Sequence, residues 1–144
     1  MKFLNMLCTL FVSVQIFAAE ANKVIQHPTV PKLKPDEYAL FLDDKYTIFK
    51  TKKTDELELD VSCYKKNKPD CLAYAISKKK VENVQIEHPA MNNMAALNCA
   101  KAEGRNLLAV DSRHNEKDFC RFSDNSMVSS WSLYLKNNPV PVQK

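Results

Sequence analysis

The 144-residue chain is 45% hydrophobic and 26% charged, carries a formal charge of +4, and holds one glycine and five cysteines. That length suits one ordinary domain or two very small ones, and a single glycine excludes the P-loop and the dinucleotide fingerprint, which need several. Only three histidines occur, with neither HExxH nor GxSxG, so the commonest hydrolase signatures are missing too.

Residues 1–21 read as an export signal. Lys2 gives the positive start, Met6 to Phe17 a mostly apolar core, and Ala19-Glu20-Ala21 the small-x-small pattern of a cleavage site. Cleavage is expected after Ala21. The core is shorter than the roughly 18–20 residues that a membrane span needs, and no later stretch is apolar enough to cross a bilayer. The mature chain is therefore expected to be periplasmic or secreted, with no transmembrane segment. Its lysine clusters, at 50–53, 65–68 and 78–80, are interleaved with acidic residues. They read as a solvated face, and no nucleic-acid partner is expected.

Removing the signal also removes Cys8 and leaves Cys63, Cys71, Cys99 and Cys120. An even number in an oxidising compartment points to two disulfides, with three possible connectivities. Spacing favours Cys63–Cys71 and Cys99–Cys120, each within one local unit. Zinc prefers ligands two to four residues apart and no CxxC occurs, so neither a metal nor another cofactor is expected.

Residues 22–36 contain Pro28, Pro31 and Pro35 and read as an extended linker. A β-rich region follows over 37–90. Tyr38–Leu42 and Tyr46–Phe49 flank Asp43-Asp44-Lys45 as a hairpin. Leu57, Leu59, Val61 and Cys63 alternate with Glu56, Glu58, Asp60 and Ser62, which predicts a strand with one apolar and one acidic face. Cys71–Ile76 reads as the returning strand, whose following lysines would pair with that acidic face. A helix capped by Asp70 is the rival reading. Val81–Ile86 adds a further strand.

A second unit is expected over 91–136, before a frayed tail at 137–144. Asn92-Asn93 offers an N-cap to a helix from Met94 to Glu103, and Gly104 stands where a left-handed residue would end it. Leu107–Val110, Phe119–Phe122 and a third strand through Trp131, Leu133 and Leu135 complete a meander, with Trp131 pointing into the core. The expected fold class is α+β: a small disulfide-stapled protein, with a β-rich N-terminal region and a helix packed on a three-stranded antiparallel meander.

The second unit resembles a small domain of unknown function in exported bacterial proteins, one that carries a haemolysin label. Met91, Asn93, Ala95, Asn98 and Cys99 match its first motif, and Gly104 the second of a glycine pair. Cys120, Phe122, Asp124, Ser126 and Trp131 keep the offsets of its second motif, C-x-F-x-D-G-S-x-C-x-x-W. Met94 replaces the family's proline, Glu103 the first glycine and Asn125 the glycine of the D-G-S turn. Val128 falls where a cysteine of a second pair belongs, and the terminal cysteine is missing with it. The resemblance spans residues 91–135. It implies export and a fold, while the label implies membrane activity without a mechanism.

His114 sits in a polar loop with Asp111, Ser112, Glu116 and Asp118, the types that bind metals or move protons. An exposed hairpin tip needs such residues anyway, and no catalytic role is assigned. Asp124 and Ser126 could meet a ligand or cap their own turn. Tyr134, read as lying opposite Trp131, is the surface aromatic for an interface. The expected function is an exported, non-enzymatic binding or inhibitor-like module whose partner is a protein or envelope component. A membrane-active effector and a small hydrolase using His114 are the alternatives.

Overall fold

The computed structural model describes residues 28–54, 56–79 and 93–139. The expected export signal and the expected strand over Val81–Ile86 lie outside them. Residues 28–34 form no helix or strand. Strand β1 (Glu37–Leu42) then turns directly into β2 (Lys45–Lys53). Asp43 and Asp44 hold φ of 50° and 61°, the paired left-handed conformation of a two-residue hairpin turn, which short polar side chains tolerate.

The predicted long strand through Leu57–Cys63 is much shorter. β3 spans only Glu58–Asp60, and Val61–Cys63 winds into a 3-10 turn whose Ser62 amide donates to the Asp60 side chain at 2.9 Å. A minimal hairpin, β4 (Tyr64–Lys65) with β5 (Lys68–Pro69), leads to helix α1 (Leu72–Ser77). Residues 72–77 are thus helical rather than a returning strand, and the cap is Cys71, not Asp70. Helix α2 (Met94–Lys101) starts at Asn93, whose side chain accepts the Ala96 amide at 3.1 Å. Strands β6 (Arg105–Val110), β7 (Glu116–Arg121) and β8 (Met127–Ser129) follow, and β8 runs straight into α3 (Ser130–Asn137).

These strands close a six-stranded antiparallel barrel in the order β1-β2-β3-β8-β7-β6. This overturns the expected helix on a three-stranded meander. The β6–β7–β8 meander exists, but as half of a barrel whose other staves come from the N-terminal region. Each half has two open edges, and each covers the other's. Leu59 pairs with Val128 on one side, and Ala39 and Leu40 pair with Val110 and Ala109 on the other.

Closure also inverts β3. Its register places Glu58 opposite Lys53 and Asp60 opposite Thr51, on the face that lines the barrel. Both carboxylates are buried, at 5% and 7% exposure, so the acidic face is not a solvent face. Leu59 points outward instead and packs with Val128, Leu133, Phe122 and the Cys99–Cys120 bond beneath the helices. Inside the barrel, Leu40, Leu107, Ala109 and Met127 surround an aromatic trio. Phe119 stands edge-on to Tyr38 and to Phe49, with centroids 5.0 Å apart in each case. Among the described residues, Lys78 and Lys79 form no ion pair with β3, and the Lys78 ammonium lies 4.1 Å from the Tyr74 ring.

The third predicted strand, through Trp131 and Leu135, is helix α3. In a helix those two residues, four apart, share a face, and Leu133 points away from them. Leu133 is fully buried, whereas Trp131 and Leu135 are 46% and 53% exposed. Trp131 is therefore a surface residue, not a core one.

Both disulfides form, Cys63–Cys71 and Cys99–Cys120, with Cα atoms 5.0 and 5.5 Å apart. The second pins α2 to the outer face of β7. Gly104 does not take the left-handed position after α2; Glu103 does, with φ 61°. The Glu103 amide returns to the Ala100 carbonyl at 3.0 Å and the Gly104 amide to Cys99 at 2.9 Å, the paired bonds of a Schellman ending. Gly104 has a steric reason instead. A Cβ there would run into Cys120 Sγ and lie 3.0 Å from Cys99 Sγ.

Candidate functional site: the barrel mouth

Four staves contribute one residue each to a polar cluster inside the barrel. Glu58 on β3 accepts hydrogen bonds from the Tyr38 hydroxyl on β1 at 2.9 Å and from Thr51 Oγ1 on β2 at 3.0 Å. Its other oxygen is ion-paired with Lys117 on β7. A buried carboxylate is costly unless its oxygens are met, and here three donors meet them. Burial pushes the Glu58 carboxyl up, but the Lys117 hydrogen bond and charge, with the Tyr38 and Thr51 donors, hold it below its ordinary value. The Tyr38 hydroxyl is driven the other way, by burial first and then by its bond to the Glu58 carboxylate.

Glu58 and Lys117 of this cluster form the floor of a groove of about 680 Å³ at one mouth of the barrel. The groove runs between the β2–β3 connection and α3. Leu57, Trp131, Leu135 and Pro139 supply apolar surface, while Lys53 and Lys136 stand on its rim. Helix α3 is held over the mouth by its first turn. Ser132 Oγ donates to the Ser129 carbonyl at 2.9 Å and accepts the Glu58 amide at 3.2 Å. Lys136, one turn on, pairs with Glu56. The result is an aromatic platform and an aliphatic wall above a charged floor. Pockets of a few hundred Å³ with this mix are typical ligand sites, and barrel mouths are a common location for them.

The residues singled out in the sequence lie elsewhere or play other parts. Tyr134 is half-buried on α3 and stacks edge-on against Trp131, with centroids 5.8 Å apart, so the two are neighbours rather than on opposite faces. His114 is exposed with φ 63° and lines a separate cavity of about 440 Å³ against residues 29–33. Its loop is organised by Asp111, which accepts the Arg113 and Asn115 amides at 2.7 and 2.9 Å. Asp118 is committed to Asn93 and Asn106, each at 2.8 Å.

Asp124 and Ser126 cap their own turn, the Ser126 amide reaching Asp124 Oδ1 at 3.0 Å. They also take amides from α1, as Leu72 donates to Asp124 and Ala73 to Ser126. Sequence reasoning missed Glu58, Lys117 and Lys136 as site residues, and it weighed Trp131 as a binding aromatic but assigned it to the core. The one available signal was a lone tryptophan four residues from a leucine beside a lysine, which suits a helix face as well as a strand.

Among the described residues, no helix is long and apolar enough to cross a membrane, and no group of three or more His, Cys, Asp or Glu side chains could hold a metal ion. No curated protein and no solved structure matches the chain. One family model does, over residues 90–137, described as a domain of unknown function (DUF333). The matched stretch carries α2, β6, β7, β8 and α3, and so Lys117 and Trp131, but not Tyr38, Thr51 or Glu58. Over this third of its length the chain is similar to a family whose description names no activity, haemolytic or otherwise.

Proposed function

We propose that the protein is an exported, non-enzymatic binding module that uses the barrel mouth to hold a component of the bacterial envelope. The observation that carries this reading is Trp131. It is the chain's single tryptophan, it is 46% exposed, and it stands beside Leu135 at the edge of the groove. Removing a large aromatic from water is among the largest contributions one side chain makes to an interface. Within the fold Trp131 meets Tyr134 edge-on, and nearly half of its surface is left open to solvent. Two disulfides in so small a chain support an oxidising compartment, in keeping with the export signal. The Cys99–Cys120 bond also pins α2 to the barrel, and α3 packs against α2, so the platform rests on a stapled scaffold with a lower ordering cost on binding.

The test is capture. Mature protein and its Trp131→Ala variant, both immobilised, would be exposed to solubilised envelope fractions. Wild type is expected to retain a component that the variant loses. Equal retention by both, or none by either, removes the barrel mouth as the binding surface.

A further inference from the structure

A second cavity, of about 350 Å³, lies at the C-terminal ends of α1 and α3. Lys136 and Pro139 line both it and the groove, so the two adjoin. Its remaining lining is Ser77, Lys78, Lys79 and Asn137. No carboxylate is among these residues; Glu56 approaches only through its ion pair with Lys136.

Lysines at helix C-termini are ordinary, because they offset the partial negative charge there. That accounts for Lys78 and Lys136. It does not account for Asn137, which is only 8% exposed and whose Nδ2 and Oδ1 both lack a hydrogen-bond partner among the described residues. A buried amide left unmatched carries its desolvation penalty with nothing to offset it. An oxyanion seated among the three ammonium groups would accept from Asn137 Nδ2 and neutralise the surplus positive charge.

We propose that this cavity is the head-group site of the barrel-mouth ligand. The ligand is an amphiphile whose oxyanion, phosphate or carboxylate, is held by Lys78, Lys79, Lys136 and Asn137. Its apolar body lies along Trp131 and Leu135. The inference rests on the barrel mouth being the binding surface, and it adds the chemical class of what binds.

The experiment titrates the mature protein with decyl phosphate, decanoate, octyl glucoside and inorganic phosphate, all below micelle-forming concentrations. Trp131 fluorescence reports the groove, and the Asn137 side-chain amide resonance reports the cavity. Both alkyl oxyanions are expected to bind at least about tenfold more tightly than the neutral glucoside. Replacing the exposed pair, Lys78→Gln with Lys79→Gln, should erase that preference without changing glucoside affinity. The ratio of the two oxyanions identifies the head group.

Equal affinity for charged and neutral amphiphiles in wild type would overturn the head-group site while leaving the groove intact. Inorganic phosphate binding as tightly as decyl phosphate, with no response at Trp131, would overturn the two-part ligand. Silence from every probe at both reporters would remove the groove and this inference together.

Discussion

The Asp124 carboxylate accepts the backbone amide of Leu72 at 2.8 Å, across 52 residues of sequence. Its neighbour Ser126 takes the Ala73 amide at 3.0 Å while donating its own hydroxyl to Asp124. The β7–β8 turn therefore supplies two of the caps that the short helix α1 requires, and Cys71 supplies a third through the Tyr74 amide. Asp124→Ala is expected to cost about 1 kcal/mol at neutral pH, the usual worth of a side-chain cap, read as a lower urea midpoint. Partial burial pushes the Asp124 carboxyl up. The Ser126 hydroxyl and the Leu72 and Ser126 amides outweigh that and hold it below its ordinary value of 3.8. A carboxyl depressed by folding stabilises above its unfolded value and loses that contribution as pH falls through the folded one. The gap between wild type and variant should accordingly close on the acid side of 3.8. A gap that persists there would mean that the cap does not act through charge.

Lys117 and Glu58 give a larger effect. Removing one partner of a buried ion pair commonly costs about 3–5 kcal/mol; the Lys117 side chain is 31% exposed, so Lys117→Met is placed near the low end, about 3 kcal/mol. The variant leaves Glu58 buried with only the Tyr38 and Thr51 hydroxyls, so burial, no longer opposed by the ammonium, raises its carboxyl. The sign of the pH response then reverses. Wild type loses Glu58's contribution as pH falls below the ordinary 4.5, whereas the variant gains on protonation. Denaturation at pH 7 and at pH 4 should show the difference between them shrinking at the lower pH. A difference independent of pH would place the cost in lost packing.

Glu103 and Gly104 respond in opposite directions to substitution. Glu103 holds φ 61°, a conformation costing a side-chain-bearing residue about 1 kcal/mol, so Glu103→Gly is expected to stabilise by up to that amount. Gly104 has no left-handed φ, yet Gly104→Ala would drive a methyl into the Cys99–Cys120 bond. Overpacking of this kind costs about 1–3 kcal/mol. Thermal melts of the two single variants are the check. A neutral Gly104→Ala would show that the disulfide can shift aside.

What the chain discloses of itself is its local chemistry. The Asp43-Asp44 turn, the Asn93 cap and the two cysteine pairs all follow from residues close in sequence, and each is present. Barrel closure has no such signal. The pairing of Ala39 with Val110 joins a strand that reads locally as half of a hairpin to one that reads as part of a separate meander. Glu58 illustrates the consequence. Alternation correctly assigned Leu59 and Glu58 to opposite faces, but which face is lumen depends on strands far away, including a Lys117 partner 59 residues on. Trp131, Leu133 and Leu135 fit period 2 by coincidence, because a helix with one buried and two exposed apolar positions produces the same string. The groove could not be read from the sequence, since it is made by α3 crossing a mouth that only closure creates.

Trp131 should then separate stability from binding. Leu133 on the same helix is fully buried, so Leu133→Ala is expected to cost about 2–5 kcal/mol. Trp131 is 46% exposed and touches Tyr134 edge-on, so Trp131→Ala should stay within about 1 kcal/mol of wild type. Its emission, from the chain's one tryptophan, should begin partly solvent-shifted and move to shorter wavelength as an alkyl oxyanion fills the groove. Calorimetry with the silent Trp131→Ala protein should show that affinity lost, and Trp131→Phe should recover part of it. If Trp131→Ala unfolds the protein as readily as Leu133→Ala, the ring belongs to the fold. If it leaves both stability and affinity unchanged, the platform has been assigned to the wrong face of α3.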